Sequence, residues 1–179
     1  FVVSGSSGSQ TGQIEKLASW ETKLSATDGT KIVVSPFLYS PADSGGDARM
    51  TGGGNDDLGG IPDVLGANPV QFAANMRSIP QAIAKALKQL QCEANAGNLG
   101  VFLFDENGNI EAIQDETTTT TYYPIPIRAL FIGDKIHGNY DAKDSNPISW
   151  YYTENYSDNL TIVKPEFNPL SALVNADNA

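Results

Sequence analysis

The chain has 179 residues, 40% of them hydrophobic, with 21 acidic against 11 basic side chains and a net charge of −10. That is enough for one domain with a core of its own, and no run approaches the roughly 18 apolar residues that a membrane helix needs. The acidic balance disfavours adhesion to nucleic-acid backbones or anionic membranes, and the one cysteine, Cys92, excludes an internal disulfide.

In chain order, Phe1 to Gln13 opens with a Gly/Ser-rich stretch, GSSGSQTG, that reads as a flexible N-terminal arm. It lacks the Gly-Lys-Ser/Thr of a phosphate loop, and FVVSG is too short for a signal peptide. Ile14, Leu17 and Ala18 have helical spacing, and Thr30 to Tyr39 reads as a strand that Pro36 places at an edge or ends early. Pro41 to Gly66 is rich in Gly and Asp and poor in core-forming side chains. A stretch of this length without its own core is expected to be a long loop or an inter-subunit arm. Its charged residues Asp43, Asp47, Arg49, Asp56 and Asp57 are the candidate contacts; the Asp residues show no metal-ligand spacing.

A helix start is expected at Asn68-Pro69, with Gln71 completing the capping pattern. This predicts a short helix over 69–77 and a longer one over 79–94, one helical segment overall. In the second, Ile79, Ile83, Leu87, Leu90 and Ala94 form one apolar face. Cys92 is expected as a small buried hydrophobe in that helix, and Gly97 stops it.

The stretch DENGNIEAIQDE, Asp105 to Glu116, resembles a calcium loop at a glance. An EF-hand requires Gly at the sixth position; counted from Asp105, Gly108 is fourth and Ile110 is sixth. Flanked by LGVFLF and IEAI, Asn107-Gly108 instead predicts a β-hairpin. The threonines Thr117 to Thr121 favour extended chain. Tyr122 to Gly133 reads as a strand with Ile125, Ile127, Ala129 and Phe131 on one face. ISWYYT, 148–153, and NLTIV, 159–163, are expected to pair through the turn between them, and the tail over 164–179 to form a short turn near Pro169 to Val174 and then fray.

Chemistry is sparse. His137 is the one histidine, too few for a zinc site with a single distant cysteine, and no G-x-S-x-G turn or dinucleotide fingerprint is present. These absences predict a protein that is not an enzyme and uses no cofactor. Trp150, Tyr152 and Tyr156 are candidate contact aromatics for a sugar or a protein, although strand alternation sends about half of such residues into a core.

The sum is an acidic α+β domain, mainly antiparallel β. The helix followed by LGVFLFDENGNIEAI, PIPIRALFIGDKIHGNYDAKDSNPISWYY and the segment to Val174 resembles virion structural proteins of tailed bacteriophages, tail-tube proteins above all. The resemblance spans about Asn68 to Val174 and rests on layout rather than on a motif. It implies a β-sandwich flanked by a helix and stacked rings around a DNA channel. Pro41 to Gly66 would be the arm that grips neighbouring rings. The implied partners are copies of itself and other virion proteins, with DNA passing unbound along an acidic lumen. A capsid-associated or connector protein fits the same layout. An extracellular carbohydrate-binding β-sandwich is the reading from a different class.

Overall fold

The computed structural model describes residues 2–4, 14–27, 30–55, 58–118 and 120–176. In chain order the elements are β1 (Val2–Ser4), α1 (Leu17–Leu24), β2 (Ile32–Val34), β3 (Leu38–Ser44), β4 (Ala48–Thr51), β5 (Asp63–Ala67) and β6 (Gln71–Arg77). They continue with α2 (Gln81–Gln89), α3 (Gln91–Ala96), β7 (Gly100–Phe104), β8 (Ile110–Gln114), β9 (Tyr122–Tyr123), β10 (Ile125–Ile132), β11 (Ser145–Tyr152), β12 (Leu160–Val163) and α4 (Pro169–Ala176).

A sandwich of two separately bonded sheets is not what these strands make. Ten of them form one antiparallel network in the order β12-β8-β7-β10-β11-β6-β3, with β1 and β2 joined beside β7 and β9 beside β8; β4 and β5 pair only with each other. The sheet curls like half a barrel. Strand β7 shows how it divides the interior. Val101 and Phe102 are both fully buried, yet they belong to different apolar clusters, because neighbouring residues of a strand point to opposite faces. On one side, α2 and α3 cover the cluster that contains Trp150, Ile127, Met76 and Leu87. On the other, α1 and α4 close the cluster with Trp20, Phe102, Ile110 and Leu173. Trp20 meets Phe102 edge-on at 5.1 Å, and its indole N–H donates to the Ile14 carbonyl at 2.8 Å, so its one polar atom is satisfied inside the core.

Several expectations change. Residues 69–77 are not helical: β6 buries Phe72, Ala74 and Met76 and exposes Ala73, Asn75 and Arg77. That period of two outweighs the Asn68-Pro69 start signal, since a helix would turn the same apolar residues away from the core. The expected 79–94 helix is two, α2 and α3, separated at Leu90. The stripe Ile79, Ile83, Leu87, Leu90 and Ala94 does pack on the core. Cys92, two residues from Ala94 and so far round the helix from it, is exposed rather than buried. In β10, Ile125 and Ile127 face inward as expected, but Ala129 and Phe131 face outward and Leu130 and Ile132 take their place. The cause is a bulge between Arg128 and Phe131, where Ala129 adopts a φ of 49° and inverts the alternation. Strand β11 pairs with β10 and β6, not with β12, which lies against β8. Val2–Ser4, inside the expected N-terminal arm, pairs with β2 and β7; residues 5–13 lie outside the described residues.

The hairpin at Asn107-Gly108 forms as read, joining β7 to β8 with Gly108 at a φ of 80°. Asp105 closes it: its carboxylate accepts from the backbone N–H groups of Asn107 and Asn109, each at 2.8 Å, and from the Asn109 side-chain amide at 2.7 Å. Partial burial pushes this carboxyl up, but the bonds from Asn109 and Asn107 outweigh it and hold it below the ordinary range. The acid of the apparent calcium loop thus works as a turn clamp. A depressed folded-state pKa means stability present above the ordinary aspartate value and lost as pH falls through the folded one. Asp105→Ala is therefore expected to cost about 1 kcal/mol near neutral pH, the low end because the turn is solvated. In thermal melts the difference from the wild-type chain should shrink on acidification.

Candidate functional site

Pro41 to Gly66 is not a loop without structure. It is the outer part of a two-stranded ribbon. One leg runs β3 then β4, the other β5 then β6, and pairing continues across their junction. Leu38 faces Met76 and Ser44 faces Gln71 in the inner half; Ala48 faces Ala67 and Thr51 faces Asp63 in the outer half. Between the halves, the Gly46 N–H donates to the Asn68 carbonyl and the Asn68 N–H to the Asp47 carbonyl, at 3.2 and 2.8 Å. Here two glycines, Gly45 and Gly46, take left-handed φ values. Gly45 has a φ of 94°, and a Cβ on it would lie 2.3 Å from the Pro69 carbonyl oxygen. Only glycine permits that approach.

The inner end of the ribbon is anchored in the core. At its root Phe72 of β6 stacks on Trp150 of β11, with ring centroids 4.2 Å apart and planes 17° from parallel. Outward of this junction, β4 and β5 are exposed along their whole length. Met50 is 59% exposed, Ile61 73%, Val64 65% and Leu65 61%. None of them joins either core cluster. A lone two-stranded hairpin is marginal in water, and this one holds four large apolar side chains in solvent.

The predicted site residues fall as follows. Asp43 lies in β3 opposite Phe72, at the root, where partial burial raises its carboxyl. Asp47 and Arg49 are exposed on the outer leg, Arg49 beside a cleft of about 370 Å³ shared with Tyr152 and Tyr156. Asp56 and Asp57 lie outside the described residues. Trp150 and Tyr152 are core residues, 0% and 5% exposed, so neither presents a ring face as a contact aromatic. Tyr156 is half-buried and stacks on Tyr152 at 4.3 Å. Among the described residues no three His, Cys, Asp or Glu side chains come close enough together to hold a metal ion. His137 is exposed beside Asp144, whose carboxylate is held low by Lys135 and by the Gly138 N–H.

The sequence did not point to Glu111. It sits in β8 between Leu103 and Ile162, on the side of Ile113, which packs against the larger core cluster. Burial raises its carboxyl, and the charges of Asp105 and Asp43 add to the effect. Burial and then Asp43 likewise lift the Tyr152 hydroxyl well above the ordinary phenol range. An acid this far from Asp43 in sequence meets it only because the sheet curls. A second unread feature is Arg77, whose guanidinium lies 4.4 Å over the ring of Tyr39 at the inner end of the ribbon.

No family model matches the chain, and no curated protein matches it significantly. Among solved structures, a chain from the tail of an empty GTA particle with C6 symmetry is similar at a TM-score of 0.36 and 11% identity, covering 74% of this chain and 87% of that one. A superposition this loose carries no argument about function.

Because the folded state binds the Glu111 proton more tightly than the unfolded chain does, stability falls as pH rises from the ordinary glutamate value through the raised one. Glu111→Gln removes that penalty. Its melting temperature is expected to exceed wild type by about 1–3 °C near neutral pH. The gain should vanish below about pH 4, where both forms are neutral.

Proposed function

We propose that the chain is a non-enzymatic structural subunit that assembles with copies of itself, as a tail-tube subunit in a phage-like virion. The observation that carries the reading is the ribbon arm: a projection whose Met50, Ile61, Val64 and Leu65 are exposed and join neither core cluster. Covering one such side chain contributes about 1.5–3 kcal/mol, and fixing two molecules together costs about 4–15 kcal/mol. One arm contact between two molecules is therefore marginal. In a closed ring or stack every subunit gives one arm and receives another, and the contact becomes sustained.

The remaining support is compositional and by resemblance. The layout from Asn68 to Val174 resembles tail-tube proteins. A net charge of −10 suits a conduit that DNA traverses without binding. Asp43, Asp47, Arg49, Asp56 and Asp57 then belong to the inter-subunit arm, and the virion is the place of action.

The test is to replace Asp47–Ala67 by an Asn-Gly turn. Among the described residues of that span, no side chain belongs to either core cluster, so the melting temperature is expected to stay within about 3 °C of wild type. Light scattering and negative-stain microscopy should show rings or tubes for the full chain and monomers for the shortened one. Equal assembly by both would refute the arm's role; rings that never stack would favour a connector.

A further inference from the structure

We infer that the arm tip of one copy seats in a groove at the inner end of the ribbon of another copy, so that subunits associate head to tail. The inference rests on the assembly reading above and names the receiving surface. The groove, of about 240 Å³, lies between the β2–β3 link and the start of α2, lined by Pro36, Phe37, Tyr39, Arg77, Ile79 and Ile83. Phe37 is 52% exposed. Across Ile79 the groove meets a second hollow of about 490 Å³ that carries Lys85, Lys88, Lys135 and the carboxylate of Asp134.

The charges of the two surfaces are opposite. Lys88 is paired with Asp134 and Lys135 with Asp144, but Arg77 and Lys85 have no carboxylate partner among the described residues. The arm, Pro41 to Gly66, has five Asp and one Arg in its sequence. Beside its exposed Ile61, Val64 and Leu65 stands Asp63. An apolar tip with an acid thus matches an apolar groove that carries Arg77 and adjoins the hollow carrying Lys85, in a chain that is acidic elsewhere.

Geometry decides against self-docking. Groove and tip lie at opposite ends of one ribbon, at the Leu38–Met76 pair and beyond the Thr51–Asp63 pair. The path from Leu38 to Thr51 is about 40 Å at strand rise, and the exposure of β4 and β5 shows that the ribbon does not fold back. A contact made by two different patches is heterologous. Repeated, it closes a ring or extends a stack.

The experiment uses the full chain with charge reversals at each surface, monitored by light scattering, with melting temperature as the check on folding. Arg77→Glu with Lys85→Glu, and separately Asp63→Lys, should each weaken association about tenfold or more, because like charges then meet. Mixing the two variants should restore mixed assemblies, since each supplies a partner for the other's altered surface. In a Cys92→Ser background, Ile61→Cys with Phe37→Cys should give a ladder of disulfide-linked multimers under mild oxidation. Wild-type assembly with unaffected charge variants and no ladder would overturn this docking while leaving self-assembly intact. A strict monomer at the highest soluble concentration would overturn both. Retention of duplex DNA by the Arg77–Lys85 surface, with assembly unchanged by its reversal, would also overturn the docking.

Discussion

The stack of Phe72 on Trp150 is the joint on which the molecule's two characters meet. Inward of it, β6 is a buried central strand, bonded to β11 along its length and contributing Ala74 and Met76 to the core. Outward of it, the same chain becomes half of a solvent-bathed ribbon within a few residues. An aromatic pair of this kind adds about 0.5–1.5 kcal/mol beyond the area it buries, and it does so at the place where leverage from the arm would otherwise peel β6 and β3 from the sheet. Gly45, with its φ of 94°, comes directly after this anchor, at the junction of β3 and β4.

The curl of the sheet supplies the rest. It wraps one cluster around Trp150 and leaves a second, smaller one under α1 and α4. It also brings Asp43, Glu111 and Tyr152 into electrostatic contact from strands far apart in sequence. Carboxylates raised by burial are a cost to the isolated fold, and Tyr152 held neutral is part of the wall behind them. Beyond β10 no helix among the described residues covers the opposite face: Ala73, Asn75 and Arg77 of β6 lie in register with β11, where Tyr151 is exposed, and Phe131 of β10 is exposed beside them. The chain thus completes its interior on one side only over this half, while its ribbon reaches outward.

Local signals specify structure where local energetics decide the outcome. Asn107-Gly108 between two runs of β-formers specified its hairpin, and the stripe from Ile79 to Ala94 specified the core-facing side of two helices. Over residues 69–77, Asn68-Pro69 with Gln71 imitates a helix start, while the alternation of Phe72, Ala74 and Met76 decides for a strand. The inverted half of β10 had no local mark, since a bulge at Ala129 depends on how β10 meets β11. Strand order, and with it the partner of β11, is set by contacts between residues far apart. For the candidate site, the unusual composition of Pro41 to Gly66 was legible, but its ribbon form was not. The groove around Arg77 and Ile79 was invisible because its walls come from separate segments.

The most direct measurement of whether the arm is an intermolecular element is hydrogen–deuterium exchange of its backbone amides across a concentration series. Isolated outer strands exchange quickly, because so few contacts oppose their local opening. If the arm seats on another copy, protection over Ala48–Thr51 and Asp63–Ala67 should rise with concentration in step with the mass in solution, while protection of β7 stays constant. Exchange over those strands that is equally fast in dilute monomer and in assembled particles would contradict the account.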